Sequence, residues 1–224
     1  MSVYTISRAF QSSVERTDRV LEVAEAFGLG LSDKQFVVYD GLKLEVEPGD
    51  VVYITGQSGS GKSLLLRELA AQMAAGGLKV ADIDRIELAD KPLIDQVGAN
   101  TQKATETLSK TGVNDAYLFI RKPQELSDGQ RYRFRLAKLI ESDADVWVAD
   151  KFGAVLDRTT AKVVAYNVQK TARALGKTLI VATTHTDLED ALGPALIVRK
   201  LFRERVDVRR GETAATCPAC GDPR

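Results

Sequence analysis

Apolar residues fall along this chain in short runs of two kinds, alternating ones and continuous or helically spaced ones, and their succession sets out the elements. From Arg19 to Phe27 the apolar set Val20, Leu21, Val23, Ala24 and Ala26 fits a strand and a helix about equally, and Gly28-Leu29-Gly30 ends it. From Gln35 to Val46 the residues Phe36, Val38, Leu42, Leu44 and Val46 alternate around a Tyr39-Asp40-Gly41 turn, and Pro48-Gly49-Asp50 makes a second turn. This predicts an antiparallel β layer feeding a parallel core. The continuous runs Val51–Thr55, Val146–Ala149 and Thr178–Ala182 are of the type buried on both faces of a parallel sheet. A helix opening at Leu64 is stopped at Gly76-Gly77, and Lys79 to Leu88 reads as a strand leading into Pro92-Leu93-Ile94-Asp95-Gln96. Asn100 to about Pro123 has helical spacing with few long apolar side chains, which predicts a small exposed helical insert. Asp128–Glu141 and Thr159–Leu175 are clearer helices, the second stopped at Gly176. Two β-rich runs, Ala195–Arg199 and Arg205–Val208, complete the ordered part. Residues 1–18 are polar and mixed and suggest at most a lead-in strand. The chain thus divides into a lead-in (1–18), one large domain (19–210) and a tail (211–224).

Composition narrows the classes. The 224 residues suffice for one large domain with a substantial core. Lys+Arg and Asp+Glu both total 31, so net charge argues neither for nucleic acid nor for an acidic ligand. No stretch approaches the ~20 consecutive apolar residues of a membrane span. Met1-Ser2-Val3-Tyr4 opens no signal-peptide h-region, so the chain reads as cytoplasmic. The two cysteines, Cys217 and Cys220, are too close and too few for a disulfide framework. Their Cys-x-x-Cys spacing is half a zinc ribbon, which needs a second ligand pair for Zn²⁺; two free thiols in a plain tail are the equal alternative.

The chemistry centres on Gly56-Gln57-Ser58-Gly59-Ser60-Gly61-Lys62-Ser63, set between a predicted strand and the helix that begins at Leu64. The spacing is that of a phosphate loop: the glycines let backbone N–H groups curl round phosphate oxygens without Cβ obstruction, at a helix N-terminus that favours an anion. Lys62 would reach the β- and γ-phosphates of a nucleoside triphosphate such as ATP, and the Ser63 hydroxyl would be a ligand of Mg²⁺.

Further along, Leu126-Ser127-Asp128-Gly129-Gln130 resembles the signature peptide of ABC-type ATPases, with Asp128 in place of its first glycine. Val146-Trp147-Val148-Ala149-Asp150 resembles the strand that carries the family's magnesium-side carboxylate, and Leu156-Asp157 its D-loop. His185, the only histidine, stands where the family has a switch histidine. The resemblance implies an α/β P-loop NTPase fold of ABC type: a core parallel sheet, an antiparallel β subdomain and a small helical subdomain carrying the signature. It implies a head-to-tail homodimer in which each ATP is sandwiched between residues 56–64 of one copy and Ser127, Gly129 and Gln130 of the other. It also assigns Asp150 to Mg²⁺, Asp157 to the D-loop contact, Gln96 to magnesium and the attacking water with Gln102 as second choice, and Phe27 to adenine stacking with Tyr39 and Phe36 as alternatives.

One position departs from that pattern. Where the family has the glutamate that polarises water, this chain has Lys151, whose ammonium accepts no proton in its charged state. ATP binding and dimerisation are therefore expected more firmly than hydrolysis, with His185, Asp157 or a water oriented by Gln96 as substitutes. Ile94-Asp95-Gln96 resembles the excision-repair branch, and the chain also looks like ABC ATPases associated with acetyltransferases, which implies such a protein as a partner in trans. Only 29 residues separate Gln96 from Leu126, which looks short for a membrane partner's docking site and ranks a transporter role lower. Arg131, Arg133, Arg135 and Lys138 form a basic cluster that is either a solvated face or a contact to nucleic acid backbone.

Overall fold

Alternate residues of the central strand serve opposite faces, and the rest of the fold is layered on them. A computed structural model describes residues 2–31, 34–201 and 204–211. Strand β3 (Val51–Gly56) sends Val52 and Ile54 to one side of the sheet and Val51 and Tyr53 to the other, all of them buried. Its sheet has the order β4-β5-β6-β3-β7-β8, with β4 (Val80–Asp82), β5 (Val146–Ala149), β6 (Thr178–Thr183) and β7 (Leu196–Lys200) parallel to their neighbours and β8 (Val206–Arg210) antiparallel to β7.

On the Val52 side, helix α2 (Lys62–Ala75) packs Leu65, Leu66, Leu69 and Met73 against the sheet together with Ile6, Tyr39, Leu44 and Val46 of a separate two-stranded sheet. On the Tyr53 side, α5 (Asp128–Ile140) and α6 (Arg158–Ala174) bury Leu136, Leu139, Val164 and Val168 against Trp147, Leu179 and Val181. A third cluster, Leu93, Val97, Ala104, Leu108, Leu126 and Phe134, holds α5 to the short helices α3 (Thr101–Lys110) and α4 (Ala116–Phe119). This is the small helical subdomain, and α7 (Glu189–Leu192) caps the other end of the sheet's helical face.

Four elements depart from expectation or resolve it. Residues 2–12 form a full strand, β1 (Ser2–Ser12), antiparallel to β2 (Lys34–Val46) with Ser2 beside Val46 and Phe10 beside Phe36. β2 runs straight through Tyr39-Asp40-Gly41; in place of a turn there is a register irregularity near Arg8, with Gly41 at φ 57° donating its N–H to Ser7 Oγ at 2.9 Å. The ambiguous stretch before it is a helix, α1 (Asp18–Phe27), started by the Thr17 hydroxyl accepting from Val20 N–H and stopped by Gly28 in the left-handed region. The predicted strand 79–88 is extended only over Val80–Asp82. There the Asp82 carboxylate accepts the Asp84 N–H at 3.0 Å and folds Ile83–Arg85 into a 3₁₀ turn, a local bond that competes with the sheet ladder.

Candidate functional site: the phosphate loop and its neighbours

Two glycines fix the path of the loop between β3 and α2. At Gly56, φ 142°, an added Cβ would lie 2.2 Å from the backbone oxygen of Lys200 on β7; at Gly61, φ 102°, it would lie 2.8 Å from Val38 on β2. Only glycine allows strand and loop to approach that closely. Tyr39 supports the loop from beneath by donating its hydroxyl to Gly61 O at 3.0 Å, and Lys200, 1% exposed, lies with its Nζ 4.9 Å from the Tyr39 ring centroid. Gln57, Ser58 and Gly59 form the exposed rim, while the Ser60 hydroxyl is buried without a hydrogen-bond partner among the described residues.

Lys62 opens α2 and is almost fully buried, with Nζ donating to Gly56 O at 2.8 Å and Gln57 O at 2.6 Å. Burial pushes its ammonium below the usual lysine range, and the Asp150 carboxylate opposes that shift. Ser63 Oγ donates to Asp150 Oδ1 at 2.9 Å, and the same oxygen accepts the Lys151 N–H at 2.9 Å. Lys151 itself is exposed and, among the described residues, the only one other than glycine with a positive φ, at 51°. A hydroxyl and a carboxylate at this spacing are hard oxygen donors of the type Mg²⁺ takes.

His185 lies beyond the end of β6, half-buried, its N–H on Thr183 Oγ1 at 3.2 Å and its carbonyl accepting from Tyr53 Oη and from Thr55 Oγ1. Asp157 caps α6 by accepting from Thr160 N–H at 2.9 Å, and its bonds to Thr160 hold its carboxyl below the usual range. The next residue, Arg158, bonds Asp187 at 2.7 Å, tying the start of α6 to the loop after His185. Ser127, Asp128, Gly129 and Gln130 form the first turn of α5, where Ser127 Oγ accepts Gln130 N–H at 3.3 Å and Gln130 Oε1 accepts Ser127 N–H at 3.0 Å, a capping box. A Cβ on Gly129 would stand 3.1 Å from Val155 O in the segment that precedes α6.

Several expected site residues lie elsewhere. The Gln96 amide donates to the carbonyls of Ala89 at 3.0 Å and Lys91 at 2.6 Å and accepts Ala89 N–H at 3.0 Å, so it closes its own loop. Its neighbours there are Val97, Gly98 and Glu141 at the far end of α5, and none of its bonds reaches Asp150 or Lys62. Gln102 is engaged with Glu106 on α3. Tyr39 is buried beneath the loop and presents no face for stacking, whereas Phe27, 75% exposed at the end of α1, and Phe36 on β2 do. Most of the basic cluster on α5 is tied to backbone carbonyls: Arg131 donates to Pro123 O and Leu126 O, Arg133 to Gly112 O and Gly129 O, and Lys138 to Glu87 O. Cys217 and Cys220 lie outside the described residues, and among those described no group of three or more His, Cys, Asp or Glu is placed to hold a metal ion. Sequence reasoning missed Lys200 and the Arg158–Asp187 pair.

The sequence profile of the ABC transporter family matches residues 39–152, just over half of the chain. The chain belongs to the ABC transporter family. Within that family, the aliphatic sulfonates import ATP-binding protein SsuB 2 of Mesorhizobium japonicum is 30% identical over 171 residues, covering 69% of this chain and 67% of its own. The methionine import ATP-binding protein MetN of Corynebacterium diphtheriae is 27% identical over 188 residues, covering 69% of this chain and 55% of its own. This chain thus spans about half the length of the methionine-import relatives it matches. In fold it is similar to the ATP-binding cassette MJ0796, solved as a dimer in a post-hydrolysis state with ADP and Pi, at a TM-score of 0.65 and 17% identity over 94% of this chain and 100% of that one. These relatives are neither excision-repair nor acetyltransferase-associated ATPases, so that finer resemblance is not carried further, and the ranking that set a transporter role below it is reversed. Among the described residues no helix is long and apolar enough to cross a membrane.

Proposed function

We propose that this chain is the ATP-binding, ATP-hydrolysing cassette of a transporter-type assembly, closing head-to-tail with a second copy around two ATP molecules. The observation that carries this reading is the convergence of Lys62, Ser63 and Asp150 beneath a loop in which Gly56 and Gly61 leave no room for side chains. The loop amides and the Ser60 hydroxyl are suited to phosphate oxygens, and Lys62 exchanges its two carbonyl partners for the β- and γ-phosphates. Ser63 and Asp150 would hold Mg²⁺, which supplies charge neutralisation on the phosphates when bound. Phe27 or Phe36 stacks on adenine. Ser127, Gly129 and Gln130 of the second copy face the γ-phosphate at a helix N-terminus, with Asp157 and His185 lining the closed site.

A membrane component is the partner class that the relatives favour. The helical subdomain offers it an apolar surface at Tyr117 and Ile120, 73% and 66% exposed. With Mg-ATP the chain is expected to double its mass in light scattering and release phosphate. Lys62→Ala removes charge-assisted bonds and lowers ATP affinity ~10–100-fold. A chain whose mass and nucleotide fluorescence are unmoved by Mg-ATP refutes the reading.

Lys151 favours a second reading, an ATP-gated switch that dimerises without turnover. Tight ATP retention with no phosphate release, and release gained in Lys151→Glu, are the results that would select it.

A further inference from the structure

Water attack on a phosphoryl group needs an acceptor for the water's hydrogen bond and proton, and position 151 offers a cation. The neighbouring strand offers a carboxylate. β4 and β5 are parallel neighbours with Asp82 beside Val148, so the turn that carries Asp84 and the segment that carries Asp150 leave the same end of two adjacent strands. The chain leaves β4 through the Ile83–Arg85 turn, held by the Asp82 carboxylate and by Ile83, which is fully buried in the core beneath. Asp84 is therefore delivered at the carboxyl ends of the parallel strands, where ligands of such sheets bind. The charged and titratable groups that act on or feel it are Asp82 on β4, Asp150 and Lys151 after β5, and Arg135 and Tyr132 on α5. Asp84 is exposed, and desolvation on its protein-facing side, then Asp82 and Asp150, push its carboxyl above the usual range, while Arg135 and Lys151 oppose them. None of its side-chain atoms is tied into the turn, in contrast to Asp82, Asp157 and Gln96.

We infer that Asp84 is the carboxylate that aligns the attacking water and takes its proton, in the place of the residue at 151, with the Lys151 ammonium keeping Asp84 and Asp150 from repelling each other. The water oxygen bonds to the γ-phosphorus as the bond to the bridging oxygen breaks. ADP leaves with that electron pair, and the water's proton passes through Asp84 to solvent. Lys151 thereby changes from a defect into half of a relocated acid pair. This inference rests on the proposed ATP hydrolysis.

The test uses the full chain and three readouts: binding of a fluorescent ATP analogue, mass with Mg-ATP, and single-turnover phosphate release. Asp84→Asn is expected to bind and dimerise as the parent does while releasing phosphate ~100-fold more slowly. Asp84→Glu retains most of the rate, and Asp84→Asn combined with Lys151→Glu regains it by restoring a carboxylate next door. Asp84→Ala repeats the measurement should the amide disturb the turn. Phosphate release at the parent rate in Asp84→Asn overturns the inference, and so does a parent chain that binds and dimerises but never releases phosphate. A parent chain that does not bind the analogue refutes the ATPase reading itself.

Discussion

Tyr39 and Lys62 show how much of the phosphate loop's shape is held by single hydrogen bonds from side chains. The Tyr39 hydroxyl is the prop under Gly61, and its loss in Tyr39→Phe leaves a part-buried carbonyl without that donor. We expect a cost of ~1 kcal/mol in stability and about a 5-fold loss of ATP affinity, read by thermal melting and nucleotide titration. Gly56→Ala has no such graded outcome, because the methyl would sit on the Lys200 carbonyl; ATP binding should be abolished while the far side of the sheet stays folded. Lys62, Ser63 and Asp150 were legible in the sequence because their spacing to strand and helix ends leaves little freedom. Gln96, expected at the magnesium and water, bonds Ala89 and Lys91 in this structure, because the path of an irregular loop decides which carbonyls an amide meets. Tyr39 was weighed as part of a turn and as an alternative stacking ring, and Lys200 gave no signal, since a lysine closing an apolar run is ordinarily a solvated strand end.

Helix α5 looks like a basic element in sequence and behaves as a structural brace. Arg133 satisfies the carbonyl of Gly112, at the end of α3, and that of Gly129. Arg133→Ala should cost about 1–3 kcal/mol in urea unfolding, and retention on heparin or DNA should not change, because the charge never faced solvent fully. The same local accounting explains which elements were foreseen. Continuous apolar runs gave β3, β5 and β6 nearly to the residue. α1 was ambiguous because its apolar positions fit either period, and only the Thr17 cap with Gly28 in the left-handed region decides it. The turn expected at Gly41 became an irregular position within β2 because β1, unassigned from its polar composition, pairs along the whole of it.

For the whole molecule, burial of tyrosines sets an alkaline limit. Burial first, with Glu189 and Asp187 adding to it against a bond to Thr55, pushes the Tyr53 hydroxyl up to about 12, and Tyr39 and Tyr132 are raised further by burial. The folded state holds these protons more tightly than the unfolded chain, so the stabilisation is complete below about pH 10 and is lost as pH rises towards 12. Melting temperatures should be flat from neutral pH to about 9 and fall steeply above 10, and Tyr53→Phe should blunt that fall. In the proposed dimer, the bare α-carbon of Gly129 carries a second consequence. Because the signature turn rests directly on the Val155 carbonyl, it cannot shift without dragging the D-loop along, and the two nucleotide sites share one mechanical linkage. Occupancy of the first site should then be felt at the second, and ATP titrations of dimer formation should be sigmoidal. Gly129→Ala, whose methyl would wedge that seam apart, should return them to a simple hyperbola.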